Sequence, residues 1–305
     1  MANGVVKSVV VANGLVQNAT GGLVLPTDCD PSGLGSLAAL TSGKIAAGIL
    51  TNYLTGLVLS NDATLPNSVL DIAAGTARDS TDAYNLYLSA STRKTLQSSG
   101  SWAAGSGGNG LDTGAVAASS TYHVYVIGSS TGTSVDVIFS LSATAPSYPT
   151  GYTLSRRIGS IMTNSSSQIR GFVQHGDEFW WAVPVGESYS PVVNPGTAAV
   201  TRALTVPSGI NVKAMVGVLA SATTTTDIPG SIYLSDLATT DTAPGVSAFQ
   251  AEAYYGGTPS TFQFAGTAQV WTNTAAQIRT RIQISGSSTN IYYETLGWVD
   301  YRGRQ

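Results

Sequence analysis

His123 and His175 are the only imidazoles in the chain, so they limit what acid–base or metal chemistry it can do. His123 lies in Tyr122-His-Val-Tyr-Val-Ile127, and His175 in Gln174-His-Gly-Asp177, followed by Glu178. A zinc site needs three or four ligands, and a Ser-His-Asp triad needs a base oriented by a carboxylate. Asp177 and Glu178 could supply carboxylates beside His175. Neighbours along a strand point to opposite faces, so the three converge only if a turn folds them together. Glycoside hydrolysis needs two carboxyls about 5–10 Å apart in a cleft, and seventeen acids offer many pairs without selecting one. Most, including Asp28, Asp30, Asp79, Asp112, Asp227 and Asp241, stand in turn-forming contexts that account for them. Asp28-Cys-Asp30 and Asp236 with Asp241 carry too few oxygen ligands for a calcium loop. The residues therefore predict no catalytic group, no cofactor and no metal.

Gly105-Ser-Gly-Gly-Asn-Gly110 has the glycine spacing of a dinucleotide fingerprint. That chemistry requires a strand before it and a helix after it, to point a helix N-terminus at the pyrophosphate. Leu111-Asp-Thr-Gly114 follows instead, a turn composition, so a surface loop is expected. The aromatics are more informative. Tyr254, Tyr255, Trp271, Tyr292 and Tyr293 fall in strand-like stretches near the C-terminus. In each Tyr-Tyr pair one ring must leave the core face of its sheet. Outward Tyr and Trp either stack on sugars or anchor subunit interfaces, and these five are the candidate glycan or receptor contacts. Trp180-Trp181 poses the same choice, with packing against a neighbouring domain expected.

Positioning those rings is the work of strands. Beta-branched and aromatic residues alternate with Ser, Thr and Arg in Tyr122–Ile127, Val135–Leu141, Leu154–Met162, Val212–Ala220 and Ile291–Tyr301. Each run is closed by Gly, Pro, Asn, Asp or Ser. Short strands at such spacing predict an all-β chain of tandem antiparallel sandwich or jelly-roll-like domains. Pro184, Pro191 and Pro195 interrupt the pattern and predict a linker. The expected parts are an attachment segment over 1–52, a middle β domain (trunk) over 53–185 and a distal β-sandwich over 190–305. The first contains a short helix at 36–47 and too few apolar residues to fold alone.

Composition narrows the function. Only 31 of 305 residues are charged, against a usual share of about 25%, while 37 Ser, 36 Thr and 34 Gly take their place. A net charge of −3 with 4 scattered Lys and 10 Arg argues against nucleic acid. The single Cys29 excludes an internal disulfide framework. No apolar run reaches about 18 residues, so no transmembrane helix is expected. The start, Met1-Ala-Asn-Gly-Val-Val-Lys7, does not read as a secretory signal, which leaves the sequons at Asn18 and Asn164 without meaning.

Beyond composition, a series of phrases carries a resemblance. They are Leu57-Val-Leu-Ser-Asn61, Asp71-Ile-Ala-Ala-Gly75, Ala77-Arg-Asp79, Trp102, Gly110-Leu-Asp-Thr-Gly114, Tyr122-His123 and Asp136-Val-Ile-Phe-Ser140. Further on stand Ala143-Thr-Ala-Pro-Ser-Tyr-Pro149, Gly151-Tyr152, Arg156-Arg-Ile-Gly-Ser160, Asp177-Glu-Phe-Trp180 and Leu296-Gly-Trp-Val-Asp-Tyr-Arg302. Over about 50–302 the chain resembles tail-fibre and minor structural proteins of tailed bacteriophages and prophages. The resemblance implies a virion component made in a bacterial cytoplasm. It is commonly a homotrimer, docked to other virion proteins through its N-terminus, with a distal domain meeting host glycan or protein. A short fibre with receptor-binding role is expected. A structural adaptor or head fibre is the alternative, and a depolymerising tailspike ranks lower, because no long solenoid repeat is present.

Overall fold

The computed structural model describes residues 9–11, 15–17, 23–24, 51–245, 248, 251–252 and 262–304. The chain divides into a first unit ending at Thr51 and a second from Asn52 to Gln305. In the first, β1 (Val9–Val11), β2 (Leu15–Gln17) and β3 (Leu23–Val24) form an antiparallel sheet. The helix expected at 36–47 and Cys29 lie outside the described residues.

The second unit is built of antiparallel strands, and among the described residues its only helical element is a 3-10 turn at Thr225–Asp227. The strands β4 (Leu54–Gly56), β5 (Leu59–Asn61), β6 (Val69–Ile72), β7 (Gly75–Arg78), β8 (Asn85–Leu88) and β9 (Thr92–Thr95) sort into two sheets, β4-β7-β8 and β5-β6-β9. β4 and β5 are separate strands because Gly56, at the end of β4, and Leu57 take φ of 65° and 52°. A Cβ on Gly56 would meet the Ala74 carbonyl oxygen at 2.4 Å, so this reversal needs glycine. β10 (Thr121–Gly128) is central in the sheet β11-β10-β12, between β11 (Val135–Ser140) and β12 (Leu154–Met162). All eight residues of β10 are buried. Tyr122, Val124 and Val126 face the main core, and Tyr125 and Ile127 face Trp102 and Tyr152.

The C-terminal half supplies β13 (Phe172–His175), β14 (Glu178–Gly186), β15 (Val192–Val193), β16 (Val200–Ala203), β17 (Lys213–Ala222), β18 (Ser231–Ser235), β19 (Ala251–Glu252), β20 (Phe262–Trp271), β21 (Gln277–Ile282) and β22 (Asn290–Val299). One sheet runs β13-β14-β22-β17-β20 with β15 also on β22, and a second runs β16-β21-β18-β19. Their inner faces share a core of Val216, Val218, Ile291 and Tyr293 with Ile232, Leu234, Ile278 and Ile282. Burying such side chains contributes about 1.5–3 kcal/mol each.

The separation expected between 185 and 190 is not where the fold divides. β14 pairs with β22, which binds the two regions into one sheet. Pro184 is accommodated because pairing to β22 lapses between Trp180 and Val185, and an interruption of the ladder is where a strand tolerates proline. Trp181 and Phe179 then pack on Trp298, with ring centroids at 4.8 and 5.1 Å.

Candidate functional site

Alternation along β22 separates the two tyrosines expected there. Tyr293 keeps 3% of its surface and packs inward beside Tyr189 and Arg202, whereas Tyr292 keeps 38% and faces out. The Tyr293 ring is therefore buried, although the residue still borders the groove beside Tyr292. Trp271 ends β20, half-buried against Tyr301 at 6.0 Å, with the Lys213 ammonium 5.6 Å from its ring. Tyr254 and Tyr255 lie outside the described residues. The structure also exposes Tyr53, Tyr84, Tyr87 and Tyr148, which sequence reasoning did not single out.

Tyr292 borders a groove of about 640 Å³ on the outer face of β14, β22, β17 and β20. That volume suits a small ligand or a few residues of a polymer. Register explains its form. Glu294 stands opposite Gly186 on one side and Gly217 on the other, and Gly217 stands opposite Thr267. The next row is Tyr292, Leu219 and Ala265. Two glycines thus flank one exposed carboxylate. A Cβ on Gly217 would meet Glu294 Oε1 at 2.7 Å, so its absence lets the carboxylate lie across the floor. A Cβ on Gly186 would meet nothing within 4 Å, so that side is open. Glu294 makes no hydrogen bond or ion pair with another described side chain. An aromatic face, a carboxylate and the Thr267 hydroxyl on one surface can stack on a ring and accept hydrogen bonds from hydroxyls.

The groups with more familiar chemistry are engaged elsewhere. His123 is buried and its Nδ1 lies 3.0 Å from Ser160 Oγ. Burial, then the nearby Arg157 charge, pushes its pKa down to about 4. Arg157 donates to both oxygens of Asp300 at 2.6 and 2.7 Å. Lys94 is fully buried, 2.8 Å from Asp136 Oδ1, and donates to the Ala103 carbonyl at 2.7 Å. Burial lowers the Lys94 pKa, and Trp102 lies over its ammonium. Gly105 N–H donates to Asp136 Oδ2, so the glycine loop closes this pair. The β13–β14 turn sets His175 opposite Glu178, but Asp177 does not join them: it pairs with Arg302 and Arg304, while Glu178 accepts from Trp180 Nε1. Among the described residues no group of three His, Cys, Asp or Glu is placed to hold a metal.

One carboxylate pair has divergent environments. The Thr64 hydroxyl and the N–H groups of Leu65 and Thr64 hold Asp62 down to about 2, whereas burial, then the charge of Asp62, raises Asp71. Arg93 lies 2.6 Å from Asp62 and 3.6 Å from Asp71. Asp62 accepts from its own turn, and Asp71 is the cross-strand partner of Arg93, so both are accounted for by local structure.

Glu294, Gly217, Gly186 and Thr267 were not singled out from the sequence. Tyr292-Tyr-Glu294 carried the signal for Glu294, since positions i and i+2 share a face. Gly217 within an apolar strand was a second signal, for close approach. The molecule is thus an all-β sandwich protein with an open-faced groove. No protein-family model, no curated protein and no solved structure matches the chain.

Proposed function

We propose that this chain is a non-enzymatic structural protein of a tailed-phage virion, a short fibre that attaches to the host surface. In this reading residues 1–52 dock on other virion proteins, the chain assembles as a homotrimer, and the outer sheet face around Tyr292 meets host glycan. The observation that carries it is the groove on that face, where an exposed tyrosine and an exposed carboxylate share a surface with Gly186, Gly217, Leu219, Ala265 and Thr267. The resemblance of its sequence phrases to those of phage fibre proteins supports the same reading. Weak single sites suffice when three subunits and several fibres engage together.

The test is Tyr292→Ala in the intact chain, with adsorption to host cells and absolute mass by light scattering measured side by side. Lost adsorption with an unchanged mass of three chains supports the reading. Unchanged adsorption favours a structural adaptor or head fibre, and loss of the oligomer assigns Tyr292 to a subunit interface.

A further inference from the structure

We infer that the groove selects uncharged carbohydrate bearing adjacent hydroxyls and rejects sugars that carry carboxylates. This inference rests on the attachment reading and specifies the ligand class of the same site.

The row Gly186, Glu294, Gly217, Thr267 is the basis. On a sheet face, cross-strand neighbours normally crowd one another with Cβ atoms about 4.5–5.5 Å apart. Glu294 has glycine on both sides, so its carboxylate is the only long side chain in its part of the floor. Among the described residues no lysine or arginine lines the groove to neutralise it. A carboxylate in that position accepts hydrogen bonds and donates none. Two neighbouring sugar hydroxyls can donate to its two oxygens, and such charge-assisted bonds are the stronger kind. Tyr292, two residues earlier on the same face, offers the apolar side of its ring to the sugar's C–H face. The Thr267 hydroxyl lies in the row beyond Gly217 and can either donate or accept. A uronate or sialate carboxylate entering the groove would instead face Glu294 with like charge. Like-charge juxtaposition is a specificity device, because it excludes wrong partners more strongly than it strengthens right ones.

The experiment uses the full-length chain on a panel of immobilised oligosaccharides, half neutral and half bearing uronate or sialate groups, at low and physiological salt. Expected is binding confined to neutral members, with acidic members of the same backbone at least about tenfold weaker and the gap narrowing as salt rises. Glu294→Gln keeps the shape and removes the charge. It should weaken neutral binding severalfold and bring the acidic-to-neutral ratio toward one. Equal binding of acidic and neutral members, or a ratio unmoved by Glu294→Gln, overturns the selectivity while leaving attachment intact. Failure to bind any glycan, together with unchanged host adsorption by Tyr292→Ala, overturns the attachment reading and the inference with it. Circular dichroism and light scattering of each variant separate lost binding from lost folding.

Discussion

The sheet β11-β10-β12 and the outer face of β14, β22, β17 and β20 use polar residues in opposite ways. Around β10 the chain buries its most reactive side chains, and partners occupy them: His123 on Ser160, Lys94 on Asp136, Arg157 on Asp300. On the outer face one glutamate stands between glycines with no partner among the described side chains. A buried charge costs several kcal/mol unless paired, so the first region can use those groups only to hold itself together. The second pays no such penalty because water reaches it, and it can exchange that water for a ligand. Reactive residue types therefore do not mark the candidate site in this molecule. Access does.

This contrast can be broken by mutation. The largest effect is expected from Lys94→Met, which leaves Asp136 buried without its cation. Removing one member of a buried pair costs about 3–5 kcal/mol, readable as a lower urea midpoint, with glycan binding unchanged wherever the protein remains folded. A small effect would mean that water reaches Asp136.

Acid comes next. The folded pKa of His123, about 4, lies below the ordinary 6.5, so the unfolded chain takes up this proton first. Its contribution is whole above pH 6.5 and declines as pH falls toward 4, by up to roughly 3 kcal/mol. Unfolding free energies between pH 7 and 4 should show the slope, and His123→Asn should flatten it.

Gly217→Ala sharpens the comparison from the other side. The added methyl meets the mobile end of Glu294, so stability should change by about 1 kcal/mol or less, while the displaced carboxylate lowers glycan affinity severalfold. A stability loss of about 3 kcal/mol would show that the floor is packed as tightly as the core. Smallest is the stability effect of Tyr292→Ala, within about 0.5–1 kcal/mol, measured by the same denaturation against a large loss of host adsorption.

The outline of the fold was legible in the chain. Alternation located β10, β11, β12, β17 and β22 to within a residue or two, because a half-buried or buried strand must repeat every second residue. The short strands β7 and β9 were missed. Gly75-Thr-Ala-Arg78 and Thr92-Arg-Lys-Thr95 have little apolar alternation; β7 is held between β4 and its hairpin partner β8, and β9 by the ladder to β6. β20 runs unbroken through Gly266, which is carried by ten paired residues of β17. The linker expected around Pro184, Pro191 and Pro195 shows the reverse error. Its prolines did interrupt pairing, but Val185 and Gly186 return to β22.

What the sequence determined by itself was the local and periodic part. It specified an antiparallel all-β chain and one outward ring in the Tyr292-Tyr293 pair. Only the tertiary structure decided which ring that is. It also decided that β14 and β22 join the two halves, and that Gly186 and Gly217 flank Glu294 from strands more than thirty residues apart in sequence. The physical reason is register. Periodicity fixes which residues share a face, but cross-strand pairing across distant segments fixes which faces meet and which stay open to solvent.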